Sequence, residues 1–413
     1  MIRINKQKKI AFISSYMPRK CGIATFTSDL VKSIGSAAGS DCKPSVIALR
    51  NGERCSYFKP VEFMVRQDIR SDYLEACDYI NSNGFDAVSL QHEFGLFGGQ
   101  GGSDINLLLK RLRVPVFTTL HTVLEKPEPG YFNSLIDVCD YSHKIVVMNK
   151  RGINMLTGVY GVCKRKIELI PHGIPDIPFN HVSSYKRKLG MGDRKVIFTF
   201  GLIGPNKGID IMLKALPVIV KNNPGVLYVI LGATHPGIVK HHGYEYKNKL
   251  LGLINSLGLE SNVLYLDRFA TNNELLQYLA AADIYVTPYL YEQQLTSGTL
   301  AFAVGAGKAV VSSPYWAAQE LLADGRGILV PFGNSEKMAE EIIKLLKDEF
   351  LRHQIQTRAY LYGRKMIWPK VGKAYWHLFE RELTSESKFL EQGIQNRSNI
   401  PLYSQQQWKY QSA

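Results

Sequence analysis

IYVTPYLYEQQLTSGTLAFAVGAGKAVVSSPYWAAQELLADGRGILVPF, residues 284–332, decides the fold. It predicts strand, glycine-bearing turn, helix, strand, loop, short helix and strand. The runs IYVTPY and AVVSS are β-branched, and the small-residue run from Ser297 has helical character. One acid, Glu292, stands in the loop before the turn, and Ser297, Gly298 and Thr299 open the helix. This layout places free backbone N–H groups and a carboxylate at the carboxyl end of a parallel strand. A helix N-terminus carries unpaired donors and a partial positive charge, so the place suits an anionic, hydroxyl-rich ligand. A nucleotide sugar is such a ligand.

Outward from this segment, the whole chain alternates short β-branched runs with amphipathic helical stretches, which predicts an α/β fold with parallel sheets. Strands are predicted at 9–16, 44–49, 61–65, 87–92, 115–121, 144–149 and 167–173, with helices at 23–34, 71–81, 104–112, 131–139 and 150–156. The pattern breaks over residues 175–184, which carry two prolines and no period and read as a linker. A second series follows at 195–201, 226–232, 263–269, 284–289, 309–313 and 327–331. The chain then turns helical at 335–347 and 350–362, is interrupted at Trp368-Pro369, and forms a further helix over 371–383. The tail from Ser385 is rich in Ser, Gln and Asn and predicts disorder, with Leu402, Tyr403 and Trp408 as candidates for local docking. The division is 1–178, 185–365, a last helix at 366–384 and a polar tail at 385–413: two doubly wound domains whose strand ends face a shared cleft.

The chain has 413 residues, 45% hydrophobic and 21% charged, ordinary values for a globular protein. Its six cysteines include no C-x-x-C pair, which argues against zinc and dithiol chemistry and for reduced thiols in a cytoplasmic protein. The apolar run IAFI after MIRINKQKK is too short for a signal sequence, and no stretch reaches the length of a spanning helix. Net charge is +14 and the pI about 9.3. That balance fits phosphate-bearing substrates and a peripheral contact with an anionic membrane surface. No nucleic-acid-binding motif is present, so no nucleic-acid partner is expected.

Candidate groups recur at strand ends. Gly22 closes the loop after the first strand and precedes a helix, where a phosphate can approach. His92 and Glu93 end a buried strand before a loop bearing Gly95, Gly98, Gly99, Gly101 and Gly102, which reads as mobile or ligand-hugging. His121 ends the next strand, where imidazole can bond a hydroxyl or a phosphate oxygen, and Glu125 stands within reach of the cleft. His172, between Pro171 and Gly173, reads as hinge geometry. In the second series the strand ends at Gly201, and Lys207 stands at the following helix start, suited to a diphosphate. Walker A spacing is absent. Arg268 ends another strand and is placed either to share the diphosphate or to pair with Asp267.

These motifs together resemble glycosyltransferase family 4. The resemblance is carried by GIATFTSDL, TLHTVL, IPHGIPD, FGLIGPNKG, AAADIYVTPY, TSGTLAFAVGAGKAVVSS, ELLADGRGILVPF and WPKVGKAYWHLF, over about residues 8–383. It implies the GT-B fold, two facing Rossmann-like domains with a C-terminal helix crossing back to the first. It also implies retaining transfer of a hexosyl unit, mannosyl or glucosyl, from a GDP- or UDP-linked sugar to a glycan, lipid-linked or small-molecule acceptor. No metal or other cofactor is implied.

By the same resemblance Lys207 contacts the donor diphosphate, Glu292 the donor sugar and His121 the transferred sugar. Gly22, Gly201, Ser297, Gly298 and Thr299 line the donor, with Arg268 as added charge, while His92 and Glu93 lie toward the acceptor. Two departures stand out. Leu202 occupies a position that is often arginine, and Leu300 occupies that of the second glutamate, which usually holds the ribose. Thr299 or Glu320 then becomes the candidate for the ribose, and Gln293 or Gln294 an alternative to Glu292. The implied route is front-face, with the leaving phosphate accepting the acceptor's proton. Two other readings are a GT-B nucleotide-sugar epimerase and a non-catalytic sugar-nucleotide-binding protein.

Overall fold

The structure, a computed structural model, describes residues 7–52, 56–179 and 182–398, with 385–398 as backbone only. Seven strands form the first sheet: β1 (Lys8–Ser14), β2 (Cys42–Arg50), β3 (Val61–Arg66), β4 (Ala87–His92), β5 (Val116–Leu120), β6 (Lys144–Val147) and β7 (Ile167–Leu169). Their order is β3-β2-β1-β4-β5-β6-β7 and all pairings are parallel. Six strands form the second: β8 (Val196–Phe200), β9 (Leu227–Leu231), β10 (Val263–Leu266), β11 (Ile284–Thr287), β12 (Ala309–Ser312) and β13 (Ile328–Leu329). Their order is β10-β9-β8-β11-β12-β13, again parallel. Helices cover both faces of a doubly wound sheet, so its central strands read as unbroken apolar runs. β5, β8, β9, β11 and β12 are buried at every residue.

The order reverses between β1 and β4 in one sheet and between β8 and β11 in the other. Loops leaving two adjacent strand ends in opposite directions open a crevice there, which is where such sheets take ligands. The fold is GT-B.

The last helix runs from Trp368 to Ser398. Trp368, Val371, Tyr375 and Phe379 pack into the first-domain core with Phe12, Phe26 and Leu30. Thr119 Oγ1 lies 3.0 Å from the Tyr375 hydroxyl, and Glu382 lies 3.0 Å from His143 Nε2. Trp368-Pro369 starts this helix instead of interrupting one. Proline costs no hydrogen bond in a first turn, where the N–H would be unpaired anyway. The interruption falls just upstream, where Ile367 bridges Ile174 and the chain crosses between domains for the second time. The helix also passes Ser385, where composition predicts disorder. Leu402, Tyr403 and Trp408 lie outside the described residues.

The linker is shorter than predicted, because the helix Val182–Lys188 begins inside it. Lys186 is buried there and pairs with Asp283 at 2.6 Å. Ile177 is buried against the second domain, and Phe179 stacks on Tyr360 with ring centroids 4.8 Å apart. Among the described cysteines all are free, with Cys42, Cys77 and Cys139 buried and Cys163 exposed.

Candidate functional site

On the second-domain side the crevice is built by close backbone approach. Gly208 has φ +59°, and a Cβ there would stand 1.9 Å from the Pro288 carbonyl oxygen. Only glycine lets the turn after β8 lie against the end of β11. Gly201, with φ +131°, sits beside Thr299, whose Cγ2 would be 3.2 Å from an added Cβ. Lys207 Nζ lies 3.9 Å from the Tyr289 ring centroid. It has no ion pair among the described residues. The Tyr289 hydroxyl lies 2.9 Å from Thr299 Oγ1, and its ring stacks on Tyr315 at 5.0 Å.

Ser297 caps the helix Gly298–Gly305 by accepting the Leu300 N–H at 3.4 Å. The N–H groups of Gly298 and Thr299 have no intrahelical acceptor. Gly201, Lys207, Ser297, Gly298 and Thr299 are therefore gathered at the β8/β11 reversal. Leu300 is fully buried in the second-domain core. Glu292 is exposed, with a side chain that forms no hydrogen bond or ion pair among the described residues. Gln293 accepts from the Tyr291 hydroxyl, and Gln294 donates to the Thr296 carbonyl.

The first-domain side is made of aromatic rings and imidazoles. Phe26, on the helix Gly22–Ala38, meets His121 at 4.9 Å and 87° and His172 at 4.9 Å and 68°. His121 Nε2 lies 3.1 Å from Gln91 Oε1, while the Gln91 amide N–H group faces Ser89 and Thr119. That network assigns the His121 proton to Nε2 and leaves Nδ1 as the acceptor. Burial, with His172 and His92 nearby, lowers the His121 pKa to about 3. Burial lowers His172 to about 4, against the opposing pull of the Gly173 carbonyl, which accepts from Nδ1 at 2.7 Å. Its Nε2 then carries a lone pair, 3.0 Å from where a Gly298 Cβ would stand. His172, a hinge residue by its sequence setting, thus joins the two walls. Gly22 opens its helix on the exposed side, and a Cβ added there would meet nothing within 4 Å.

Several expected site residues stand elsewhere. His92 is fully buried between Phe94 and Phe97, with neither ring nitrogen hydrogen-bonded among the described residues, so no acceptor can touch it. Glu93 is nearer the crevice. Its carboxylate accepts from Thr122 at 2.6 Å and from the Phe94 N–H at 3.1 Å, and burial raises its pKa. The glycine-rich loop is tightly packed and not loose: a Cβ on Gly102 would stand 2.7 Å from the Phe94 carbonyl oxygen, and one on Gly101 2.9 Å from Tyr131 Cα.

Arg268 lies beyond β10, at the sheet edge, and is engaged bidentately by Glu274. Asp267 pairs instead with Lys247 at 2.5 Å. Glu125 pairs with Arg151 at 3.2 Å. Glu320 faces the opposite domain, where its oxygens accept the Lys150 N–H at 2.9 and 3.2 Å. Strand ends are visible in the sequence, but partners that depend on the two domains meeting, such as Asn149 and His172, give no local signal.

Residues 183–362 match the family described as glycosyl transferases, group 1. The match lies in the second domain and covers less than half of the chain. It is 28% identical over 232 residues to a phosphatidyl-myo-inositol mannosyltransferase of Mycolicibacterium smegmatis, covering 55% of each chain. It is 25% identical over 289 residues to a D-inositol 3-phosphate glycosyltransferase of Actinosynnema mirum, covering 65% of this chain and 67% of that one. The chain spans about half the length of the first curated relatives it matches. Among solved structures, Anabaena HepE in complex with UDP has a TM-score of 0.70 at 18% identity, covering 90% of this chain and all of that one. Sucrose-phosphate synthase of Thermosynechococcus elongatus has a TM-score of 0.72 at 15% identity, covering 92% and 100%. These two likenesses concern the fold. Among the described residues no helix is long and apolar enough to cross a membrane.

Proposed function

We propose that the chain is a retaining glycosyltransferase. It moves a mannosyl or glucosyl unit from a GDP- or UDP-linked sugar to an acceptor hydroxyl. The observation that carries this reading is an unpaired Lys207 beside the free N–H groups of Gly298 and Thr299, at the strand-order reversal. A departing diphosphate gains negative charge in the transition state, and prearranged donors at that point stabilise it. Glu292, exposed and unbonded, is available to donor-sugar hydroxyls. His121 is neutral at pH 7 and suits a hydroxyl better than a phosphate. No metal is needed in this scheme, because the lysine and the amides meet the diphosphate charge. The leaving phosphate takes the acceptor's proton.

The names of the curated relatives support a mannosyl donor and a lipid-linked or polyol acceptor, and the UDP complex of HepE supports UDP. The basic balance supports peripheral contact with an anionic inner-membrane surface on the cytoplasmic side. Thermal unfolding with UDP, GDP and ADP tests the donor site. The base that fits should stabilise the protein by about 2.7 kcal/mol at a hundredfold excess over its dissociation constant. No stabilisation by any of the three would sink the proposal. Stabilisation without turnover across acceptors would leave only a binding protein.

A further inference from the structure

The helix Lys150–Gly158 of the first domain is gripped at its start by the second. Both Glu320 oxygens accept the Lys150 N–H, at 2.9 and 3.2 Å. Asn149 caps the same helix by accepting the Gly152 N–H at 2.8 Å, and its amide donates across the cleft to the Leu295 carbonyl. The Arg151 guanidinium lies 3.9 Å from the Trp316 ring centroid. The first turn of this helix carries Lys150 and Arg151 and no acid. Cations there oppose the helix dipole, and Glu320 supplies the missing anion from the other domain.

These contacts lead directly to Glu292. The Trp316 backbone N–H donates to the Glu292 carbonyl at 3.0 Å, and the Ala317 N–H to the Gln294 carbonyl at 3.0 Å. The loop 292–297 is thus tied to the helix Trp316–Leu321 on one side and to Asn149 on the other. Leu295 and Trp316 are each 3% exposed and pack in the first-domain core. Separating the domains would strip both from that core and leave the loop unsupported.

The structure assigns Glu320, Asn149 and Arg151 as positioning residues that couple domain closure to the placement of Glu292 at the donor sugar. This rests on the transferase reading. It replaces the ribose role for Glu320, and the two roles give opposite results on mutation. In the latch role Glu320 acts on the loop and leaves the diphosphate site alone. In the ribose role its loss weakens nucleotide binding itself.

The test compares Glu320→Ala, Glu320→Gln and Asn149→Ser in the full chain. Serine retains a helix cap but is too short to reach Leu295. Calorimetry with UDP and GDP, steady-state turnover and small-angle scattering without ligand are measured for each. Nucleoside diphosphate affinity should stay within about twofold of the parent, since Lys207 and the amides are untouched. Turnover should fall about tenfold in Glu320→Ala, the scale of one charge-assisted hydrogen bond, and by up to about tenfold in Asn149→Ser, which loses a neutral one. Glu320→Gln still accepts from Lys150 and should recover most of it. The radius of gyration of Glu320→Ala should rise. A loss of diphosphate affinity of about tenfold in Glu320→Ala, unrescued by Gln, would overturn the latch in favour of the ribose role. Unchanged turnover and scattering in both Glu320→Ala and Asn149→Ser would overturn it too. Scattering needs no substrate, so the latch stands or falls separately from sugar transfer.

Discussion

The first-domain wall of the crevice holds His121 and His172 as neutral rings around Phe26, with His92 buried behind them, whereas the second-domain wall presents Lys207 and the amides of Gly298 and Thr299. The first wall is desolvated and uncharged. The second carries a cation with no ion-pair partner among the described residues. Under the proposed transferase reading the difference separates two tasks: neutral acceptors suit sugar hydroxyls, while fixed positive charge suits a diphosphate. It also assigns two costs. Keeping imidazoles neutral makes the first domain sensitive to acid, and keeping Lys207 unpaired leaves an uncompensated cation in the second.

The acid sensitivity gives the largest expected effect. His92 and His121 have folded pKa values lowered to about 3, below their unfolded values near 6.5. Between those limits the unfolded chain binds more protons, so stability is fully present above about pH 6.5 and is lost as pH falls toward 3. The two together should cost roughly 3 kcal/mol per pH unit within that window. Denaturant unfolding at pH 7.5, 6 and 5 checks this, and a flat profile would break the contrast between the walls. Lys207→Ala comes next, with turnover expected to fall about 100-fold, as for loss of one transition-state donor. Parent-like kinetics would remove the lysine from its role. Glu292→Gln should lower turnover about tenfold with the diphosphate still bound. An effect at Gln293 or Gln294 alone would shift the sugar contact along the loop. Chelation with EDTA should leave turnover unchanged if lysine and amides suffice for the diphosphate; restoration by added Mg²⁺ after loss would show otherwise.

Much of this is legible along the chain. Apolar runs such as IYVT and VIFTF are long enough to specify buried parallel strands, and the breaks between them mark the loops. Gly201, Lys207 and the Ser297–Thr299 run are legible because each ends a strand or opens a helix, and such signals are local. Trp368-Pro369 misleads because proline reads as a breaker unless the helix is known to start there. The glycines at 98–102 read as flexible, since a sequence does not show that Phe94 and Tyr131 press against them. His92 reads as a crevice residue because a strand end does not reveal which face it turns to.

The sequence by itself determined two doubly wound domains, their strand ends and the lysine and amides of the second wall, because periodicity and turn chemistry act over a few residues. Only the tertiary structure decided what lies between the domains. Glu320 reaches Lys150 170 residues away, Asn149 reaches Leu295 146 residues away, and His172 stands over Gly298. Each depends on two separately folded bodies meeting at one angle, and no local rule of the chain encodes that meeting. The segment 284–332 therefore carries the local signals of the proposed donor site, while its contacts with the first domain come from the tertiary structure alone.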